Sequence, residues 1–234
     1  RSDTETANAV RREMGQGAEI ALVTEETGYA DLFLRRRGTE THIYGLDGFS
    51  RKSFPAGPTS STALVAALKG EAAARRLGEM DNLGQTFGVK LWLDGNKPGF
   101  GLGELIRINA SSERAGYLTV VDLGTDDKVT VLFPNSYHKD NRISANAQLT
   151  FPTADMGFDI EAQPPAGRGM VRAFVTLDPL DLPTDPDGFV TGDVLLADRI
   201  AAAVRKAAGA ADGSPDAIRL DTWGTASLVY DISR

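Results

Sequence analysis

The stretch GYLTVVDLGTDDKVTVLFPN, residues 116–135, decides the fold more strongly than any other part of the chain. Two apolar runs with alternating polar positions flank a polar turn at 124–127. Such alternation around a glycine-containing turn predicts an antiparallel β-hairpin. A simple register around this turn places Tyr117 beside Phe133. Period-two alternation predicts one set of inward-facing side chains: Leu118, Val120, Val129, Val131 and Phe133.

Similar strand-like segments lie on both sides of the hairpin. Residues 101–176 contain about six short strand patterns separated by turn residues, a spacing typical of an antiparallel β-sandwich. The segments are 105–110, 117–122, 128–133, 149–152, 158–162 and 170–176. A last strand is predicted at 226–232. Residues 62–80 and 194–208 instead have the 3.6-residue period of helices with one apolar stripe. The predicted fold class is therefore mainly β with flanking helices (α+β).

The order of these segments predicts a chain of three parts. They are an N-terminal β unit at 1–61, a helical connector at 62–88, and a β-sandwich with a C-terminal helix and strand at 89–234. In the first part, strand-like runs occur at 19–23, 29–34 and 41–44, with Gly38 as a hairpin turn. A Gly-Tyr pair before a hairpin occurs in both β units, which leaves open whether they are related repeats.

Composition and charge narrow the classes of function. Hydrophobic residues make up 41% and charged residues 24%, as in folded globular domains. The net charge of −7 repels a phosphate backbone, so we expect no nucleic-acid partner. No apolar run of about 18 residues occurs, so the sequence predicts no transmembrane segment.

The chain contains no cysteine, which excludes disulfides, thiol nucleophiles and cysteine metal ligands. This composition is compatible with the cytoplasm and with export, and we expect a periplasmic or cell-envelope location. The chain begins at Arg1 without Met, and no signal peptide is visible. We therefore expect a mature or trimmed fragment.

No motif for catalysis or cofactor binding is visible, so we expect no catalytic residue and no cofactor. His42 and His138 are isolated, and the pattern Gly-x-Ser-x-Gly is absent. The glycine-rich residues 95–103 lack the Lys-Ser/Thr pair of a phosphate-binding loop.

One acidic loop has the residue types of a calcium site. Asp181, Asp185 and Asp187 are weak candidate ligands for such a hard cation. Their spacing does not match an EF-hand, and a proline-stiffened surface loop explains them equally well.

A set of short motifs gives residues 89–176 a resemblance to the bacterial domain of unknown function 4384 (DUF4384). The motifs are Gly103-Glu104, Gly116-Tyr117-Leu118, Val131-Leu132-Phe133-Pro134-Asn135, Asn141-Arg142-Ile143 and Pro164-Pro165-Ala166-Gly167. This resemblance implies an accessory domain, of the kind found C-terminal to caspase-like peptidase domains. It implies no catalytic residues, and no Cys-His dyad can form in a chain without cysteine.

The shared motifs admit two interpretations. In the structural one, Gly116 permits a backbone turn, Pro134 ends strand pairing, and Asn135 closes a turn on its own backbone. In the other, four residues form a binding rim: Tyr117, Asn135, Tyr137 and His138.

The sequence as a whole favours a non-enzymatic accessory or interaction module of a larger bacterial protein, with a protein or glycan partner. Two alternatives stay open. The chain is the C-terminal portion of a caspase-like peptidase whose catalytic domain lies upstream, or it is a calcium- or glycan-binding β-sandwich.

Overall fold

The computed structural model describes residues 32–45, 50–54, 61–209 and 219–233. The strand predicted at 19–23 lies outside these residues. The described strands are β1 Leu32–Arg37, β2 Glu40–Gly45, β3 Ser50–Phe54, β4 Val89–Leu93, β5 Gly99–Gly101, β6 Ile108–Ser112, β7 Gly116–Leu123, β8 Val129–Phe133, β9 Arg142–Ile143, β10 Gln148–Phe151, β11 Gly167–Thr176, β12 Val190–Gly192 and β13 Trp223–Ser233. The helices are α1 Ser61–Gly78 and α2 Val194–Ala207. The fold is mainly β with two described helices, which confirms the predicted class.

The chain divides into two compact units, with the boundary between Ala72 and Ala73. In the first unit, β1, β2 and β3 form an antiparallel sheet. Gly38 has a φ of +60° in the turn between β1 and β2, which confirms the predicted glycine turn. Ile43 of β2 and Leu64 of α1 are fully buried in the core of this unit.

The second unit contains two sheets. The smaller one has the antiparallel order β10-β6-β4, and the larger one has the order β12-β8-β7-β11-β13-β5, with β9 also paired to β7. Among the described strands, β13 and β5 pair in parallel, and the strands within residues 101–176 pair antiparallel as predicted. The strands predicted at 117–122, 128–133, 149–152, 170–176 and 226–232 all lie in these two sheets.

A shared hydrophobic core joins the two sheets. It contains Ile108 and Phe151 of the smaller sheet and Leu118, Phe133 and Val175 of the larger one. The helix α2 contacts β8, β11 and β12 of the larger sheet. Central strands buried on both faces are expected to be continuously apolar, which explains the near-unbroken apolar runs of β7, β8 and β11.

A β-bulge makes part of the predicted hairpin wrong. Val120 pairs with Phe133 and Val121 with Val131, so Leu132 is an extra residue without a partner. The alternation of β8 therefore changes at this point. Leu132 and Phe133 lie in the core between the sheets, whereas Val129 and Val131 are buried outside that core.

Tyr117 and Phe133 are not neighbours as predicted, because the hairpin register begins with Leu123 opposite Val129 and the bulge then places Phe133 opposite Val120. Tyr117 pairs with Arg142 of β9 and with Thr176 of β11 instead. Gly116 does not serve a turn, as predicted, but a close approach of two strands. A Cβ atom on Gly116 would lie 2.5 Å from the carbonyl oxygen of Thr176.

Two other predicted strands differ from the observed ones. The segment predicted as a strand at 158–162 makes only an isolated bridge, from Glu161 to Leu105. The strand predicted at 105–110 begins at Ile108. The helices predicted at 62–80 and 194–208 agree with α1 and α2 within two residues. None of the described helices is long and apolar enough to cross a membrane.

Candidate functional site

Asn135 organises the loop that leaves β8. Its Oδ1 accepts hydrogen bonds from the backbone N–H groups of Tyr137 and His138, at 2.9 and 2.8 Å. Its Nδ2 donates to the carbonyl of Leu132 at 2.8 Å. The Asn135 amide is therefore engaged on both sides with its own loop, as the structural interpretation expects.

This loop presents Tyr137 to two phenylalanines from other loops. The ring centroid of Tyr137 lies 5.4 Å from that of Phe158 and 5.9 Å from that of Phe189. Phe158 and Phe189 meet edge to face at 5.1 Å. We call these three residues the aromatic cluster. Tyr137 is 49% exposed, and both phenylalanines are half-buried.

His138 points to the core side of the same loop. Its ring lies 5.4 Å from Phe133, which is buried. In a neighbouring segment, a hydrogen bond from the Thr153 hydroxyl at 2.5 Å lowers the pKa of Asp155 below its ordinary value. His138 therefore contacts the core of the sandwich through Phe133.

Tyr117, the fourth residue of the predicted rim, makes different contacts. Its ring lies 5.5 Å from the guanidinium carbon of Arg142, and no described ring of the aromatic cluster contacts it. The backbone next to it is fixed by Asn141, whose Nδ2 donates to the carbonyl of Leu118 at 3.0 Å. The structure therefore brings Asn135, Tyr137 and His138 into one loop and places Tyr117 outside it.

The segment that carries most of these contacts matches the model of a known protein family. Residues 100–179 match the family model of a domain of unknown function, DUF4384. The match covers about a third of the chain and confirms the resemblance seen in the sequence. No curated protein and no solved structure matches the chain.

The aromatic cluster crosses the boundary of the DUF4384 match. Tyr137 and Phe158 lie inside it, and Phe189 lies ten residues beyond its last position, residue 179. Phe158 and Phe189 are not among the site residues predicted from the sequence. Both directly follow a glycine in a turn-rich segment, where an aromatic side chain has little local structure to pack against. That placement is the signal that points to a long-range cluster.

The acidic loop that follows the DUF4384 match is held by local contacts. Asp185 Oδ1 accepts from the backbone N–H of Asp187 at 2.9 Å, and Asp181 lies 3.6 Å from Lys206 Nζ. Within the described ranges, no three His, Asp or Glu side chains are close enough together to hold a metal ion.

A second buried polar contact lies on β7, within the segment that matches DUF4384, and involves the acid Asp122. The hydroxyl of Tyr230 on β13 donates to Asp122 Oδ1 on β7 at 3.0 Å. Its ring crosses β11 over Gly169, where a Cβ atom would lie 2.3 Å from the ring. Burial raises the pKa of Asp122 from 3.8 to about 7, and the hydrogen bond from Tyr230 opposes this only in part. Since the hydrogen bond joins β13 to β7 across β11, we interpret this pair as structural.

Asp122 predicts a specific dependence of stability on pH. Its pKa is higher in the folded than in the unfolded chain, so the folded protein binds more protons between these values. The free energy of unfolding therefore falls as the pH rises from about 4 to about 7. We expect Asp122→Asn to remove about 1–3 kcal/mol of this fall. A pKa difference of this size corresponds to ~4 kcal/mol, and we expect a smaller effect because Asp122 keeps some solvent contact.

Urea unfolding at a series of pH values measures this effect. The matched control is Asp94→Asn, which changes an exposed carboxylate of the same unit and should leave the pH profile unaltered. A profile for Asp122→Asn that is parallel to the wild-type profile would show that Asp122 does not titrate in this range.

Proposed function

We propose that this chain is a non-catalytic interaction module that binds a protein partner through the aromatic cluster. The observation that supports this most directly is the assembly of three aromatic rings from three separate loops. Tyr137 remains 49% exposed although its ring contacts both phenylalanines. Aromatic residues are enriched in the central part of protein interfaces, where they contribute much of the binding energy.

The arrangement of the rings favours a protein side chain over a sugar as the occupant. Tyr137 is tilted by 34° to Phe158, and Phe158 stands at 79° to Phe189. Rings at such angles do not offer one flat face for a pyranose to stack on, whereas an apolar side chain can contact several ring faces and edges. A glycan is therefore the competing occupant to be tested.

The charged residues around the cluster indicate the sign of the charge that a partner would carry. Exposed aspartates neighbour the cluster on two of its loops: Asp155 and Asp159 beside Phe158, and Asp185 and Asp187 before Phe189. With a net charge of −7 on the chain, they attract basic groups over a distance set by the ionic strength. We therefore propose a partner segment that combines an aromatic or aliphatic side chain with lysine or arginine.

In this proposal any catalysis is carried out by another domain or protein. The chain has no cysteine, its two histidines lie in different units, and the ring of His138 packs on Phe133. The resemblance to DUF4384 supports an accessory role in a larger bacterial protein, and a caspase-like peptidase domain upstream is the first candidate for the catalytic part. The complete reading frame tests this directly, because a peptidase domain there requires a His-Cys pair.

The prediction concerns Tyr137→Ala. We expect it to weaken partner binding by at least about 2 kcal/mol, the usual threshold of an interface hot spot. Because Tyr137 is half exposed, we expect the free energy of unfolding to change by less than about 1 kcal/mol. The measurement is titration with peptides selected from a displayed random library, followed by urea unfolding of the same variant.

The matched control is Leu195→Ala, because Leu195 is an equally exposed apolar residue (55%) outside the cluster. It should leave both affinity and stability unchanged. Selected peptides without basic residues would contradict the charge argument. Binding on a glycan array that Tyr137→Ala abolishes, with no peptide selected, would replace the protein partner by a sugar.

A further inference from the structure

The outer edge of the larger sheet lies directly beside the aromatic cluster. Its edge strand β12 pairs with β8 on one side, and among the described residues no strand pairs with its other side. Phe189 of the aromatic cluster immediately precedes β12, and Thr191 in the middle of β12 is exposed. A row of backbone groups at such an edge is a template on which another chain can pair.

The hydrogen bonds of the neighbouring strand indicate which residues of β12 are bonded to it. The backbone N–H of Gly124 donates to the carbonyl of Lys128 at 2.9 Å, so the backbone of Lys128 is directed towards β7. Because this direction alternates along a strand, Val129 and Val131 direct their backbone groups towards β12. Their partners on β12 are Gly192 and Val190. The residue between these partners, Thr191, therefore directs its N–H and carbonyl away from β8.

Two contacts agree with this direction. The hydroxyls of Thr191 and Thr130 lie 3.2 Å apart, and cross-strand side chains approach most closely at pairs whose backbones are not hydrogen-bonded to each other. The carbonyl of Gly188 accepts from the backbone N–H of Ser136, in the loop after β8, at 3.2 Å. Since a trans peptide directs its C=O and N–H oppositely, the N–H of Phe189 points away from this loop. Phe189 and Thr191 therefore both direct an N–H outwards from the sheet edge.

The sequence of this edge lacks the features that commonly prevent pairing. Natural edge strands are often protected by charged side chains, especially lysine, or by proline. Residues 188–192 read GFVTG and contain neither. By contrast, the edge strands β1 and β3 of the first-unit sheet carry Arg35, Arg37 and Lys52. The edge at β12 is therefore free of such protection.

The surroundings of the edge select the side chains of an added strand. Side chains alternate between the two faces of a strand, so Phe189 and Thr191 lie on one face and Val190 on the other. An apolar side chain placed opposite Phe189 extends the aromatic cluster, because directly opposed side chains contact each other. Exposed Asp185 and Asp187 precede the edge and favour a basic strand over an acidic one.

We propose that an extended basic segment of the partner adds to β12 as an antiparallel strand. This segment alternates apolar side chains, which contact the aromatic cluster, with lysine or arginine. Main-chain hydrogen bonds to Phe189 and Thr191 provide affinity, and the alternate side chains provide specificity. The inference rests on the proposed function, because the aromatic cluster is the same site, and it adds how the partner is held.

The probe is the peptide acetyl-KVKFK-amide, titrated into the ¹⁵N-labelled chain. In an antiparallel register its valine lies opposite Thr191 and its phenylalanine opposite Phe189, and both direct their N–H groups towards β12. We expect the amide signals of Thr191 and Phe189 to shift downfield in a saturable manner at millimolar concentrations. The amides of Val190 and Gly192, which are already bonded to β8, should shift less.

Two N-methylated forms of the peptide separate strand addition from binding through side chains alone. The first form is methylated on the valine and the phenylalanine, so it loses the two N–H groups directed towards β12. The second form is methylated on the second and third lysines, whose N–H groups point to solvent, and it has the same composition and charge. The first form should bind roughly tenfold more weakly, as the loss of two hydrogen bonds implies, and the second should bind as the unmodified peptide does.

Two variants test the same bonds from the side of the protein. Thr191→Pro removes the outward N–H and keeps the bonds of β12 to β8, because proline is tolerated on an edge strand where the N–H faces solvent. It should weaken binding of the peptide roughly tenfold. Thr191→Val keeps the N–H and the branched shape and should bind as the wild type does. If Thr191→Pro does not fold, the methylated peptides still decide the question.

The outcomes distinguish strand addition from the proposed function. Strand addition is overturned if the peptide shifts neither outward amide, or if its first methylated form binds no more weakly than the second. It is also overturned if peptides from the displayed library lose affinity with Tyr137→Ala but not with Thr191→Pro, and the proposed function then stands. A library that yields no peptide dependent on Tyr137 overturns both.

Discussion

Phe133→Ala is expected to lower the free energy of unfolding by about 3–5 kcal/mol, the usual cost of truncating a fully buried phenylalanine. Phe133 is 1% exposed in the core between the two sheets. Its ring stacks on Phe151 of the opposite sheet at a centroid distance of 5.5 Å, and His138 contacts it at 5.4 Å. The substitution removes these contacts together and leaves a cavity between the sheets.

Denaturant unfolding followed by circular dichroism measures this loss. Phe133→Leu is the matched variant, since it keeps most of the apolar volume and should cost less than half as much. The result also separates the two interpretations of the Leu-Phe-Pro-Asn motif. A Phe133→Ala protein with an unchanged unfolding curve would show that Phe133 serves binding rather than the core.

The sequence predicts those parts of the fold that depend on local pattern. The strands on both sides of the 124–127 turn are correct because alternation and turn residues lie within one short stretch. Their register is not predicted, because the extra residue Leu132 leaves no mark in the alternation of apolar side chains. The strand β3 is missed because its sequence, SRKSF, has no apolar period, and β12 because it has three residues.

The candidate sites depend on contacts that no local pattern contains. The aromatic cluster joins Tyr137, Phe158 and Phe189, which are separated by about 20 and 30 residues of the chain. The predicted rim included Tyr137 because it stands close to a recognised motif. Its two partners follow only from the sheet topology that brings their loops together.

The second large effect is expected for Ile200→Asp in α2, which should cost about 3–5 kcal/mol as the burial of an unpaired charge does. Ile200 is fully buried, and α2 contacts β8, β11 and β12. A helix of 14 residues is marginal in water by itself, although Asp193 caps it by accepting from the backbone N–H of Leu195 at 3.0 Å. The stability of α2 therefore comes from its packing, which the substitution removes.

Leu195→Asp is the control within the same helix, because Leu195 is 55% exposed and should tolerate the charge within about 0.5 kcal/mol. The pH dependence separates buried charge from a general loss of helix. A buried carboxyl has a pKa above its unfolded value, so the destabilisation by Ile200→Asp should shrink as the pH falls towards 4, near the pKa of about 3.9 of an aspartate in the unfolded chain. A cost that is the same at pH 4 and pH 8, or equal costs for both variants, would mean that α2 is not packed on the larger sheet through Ile200.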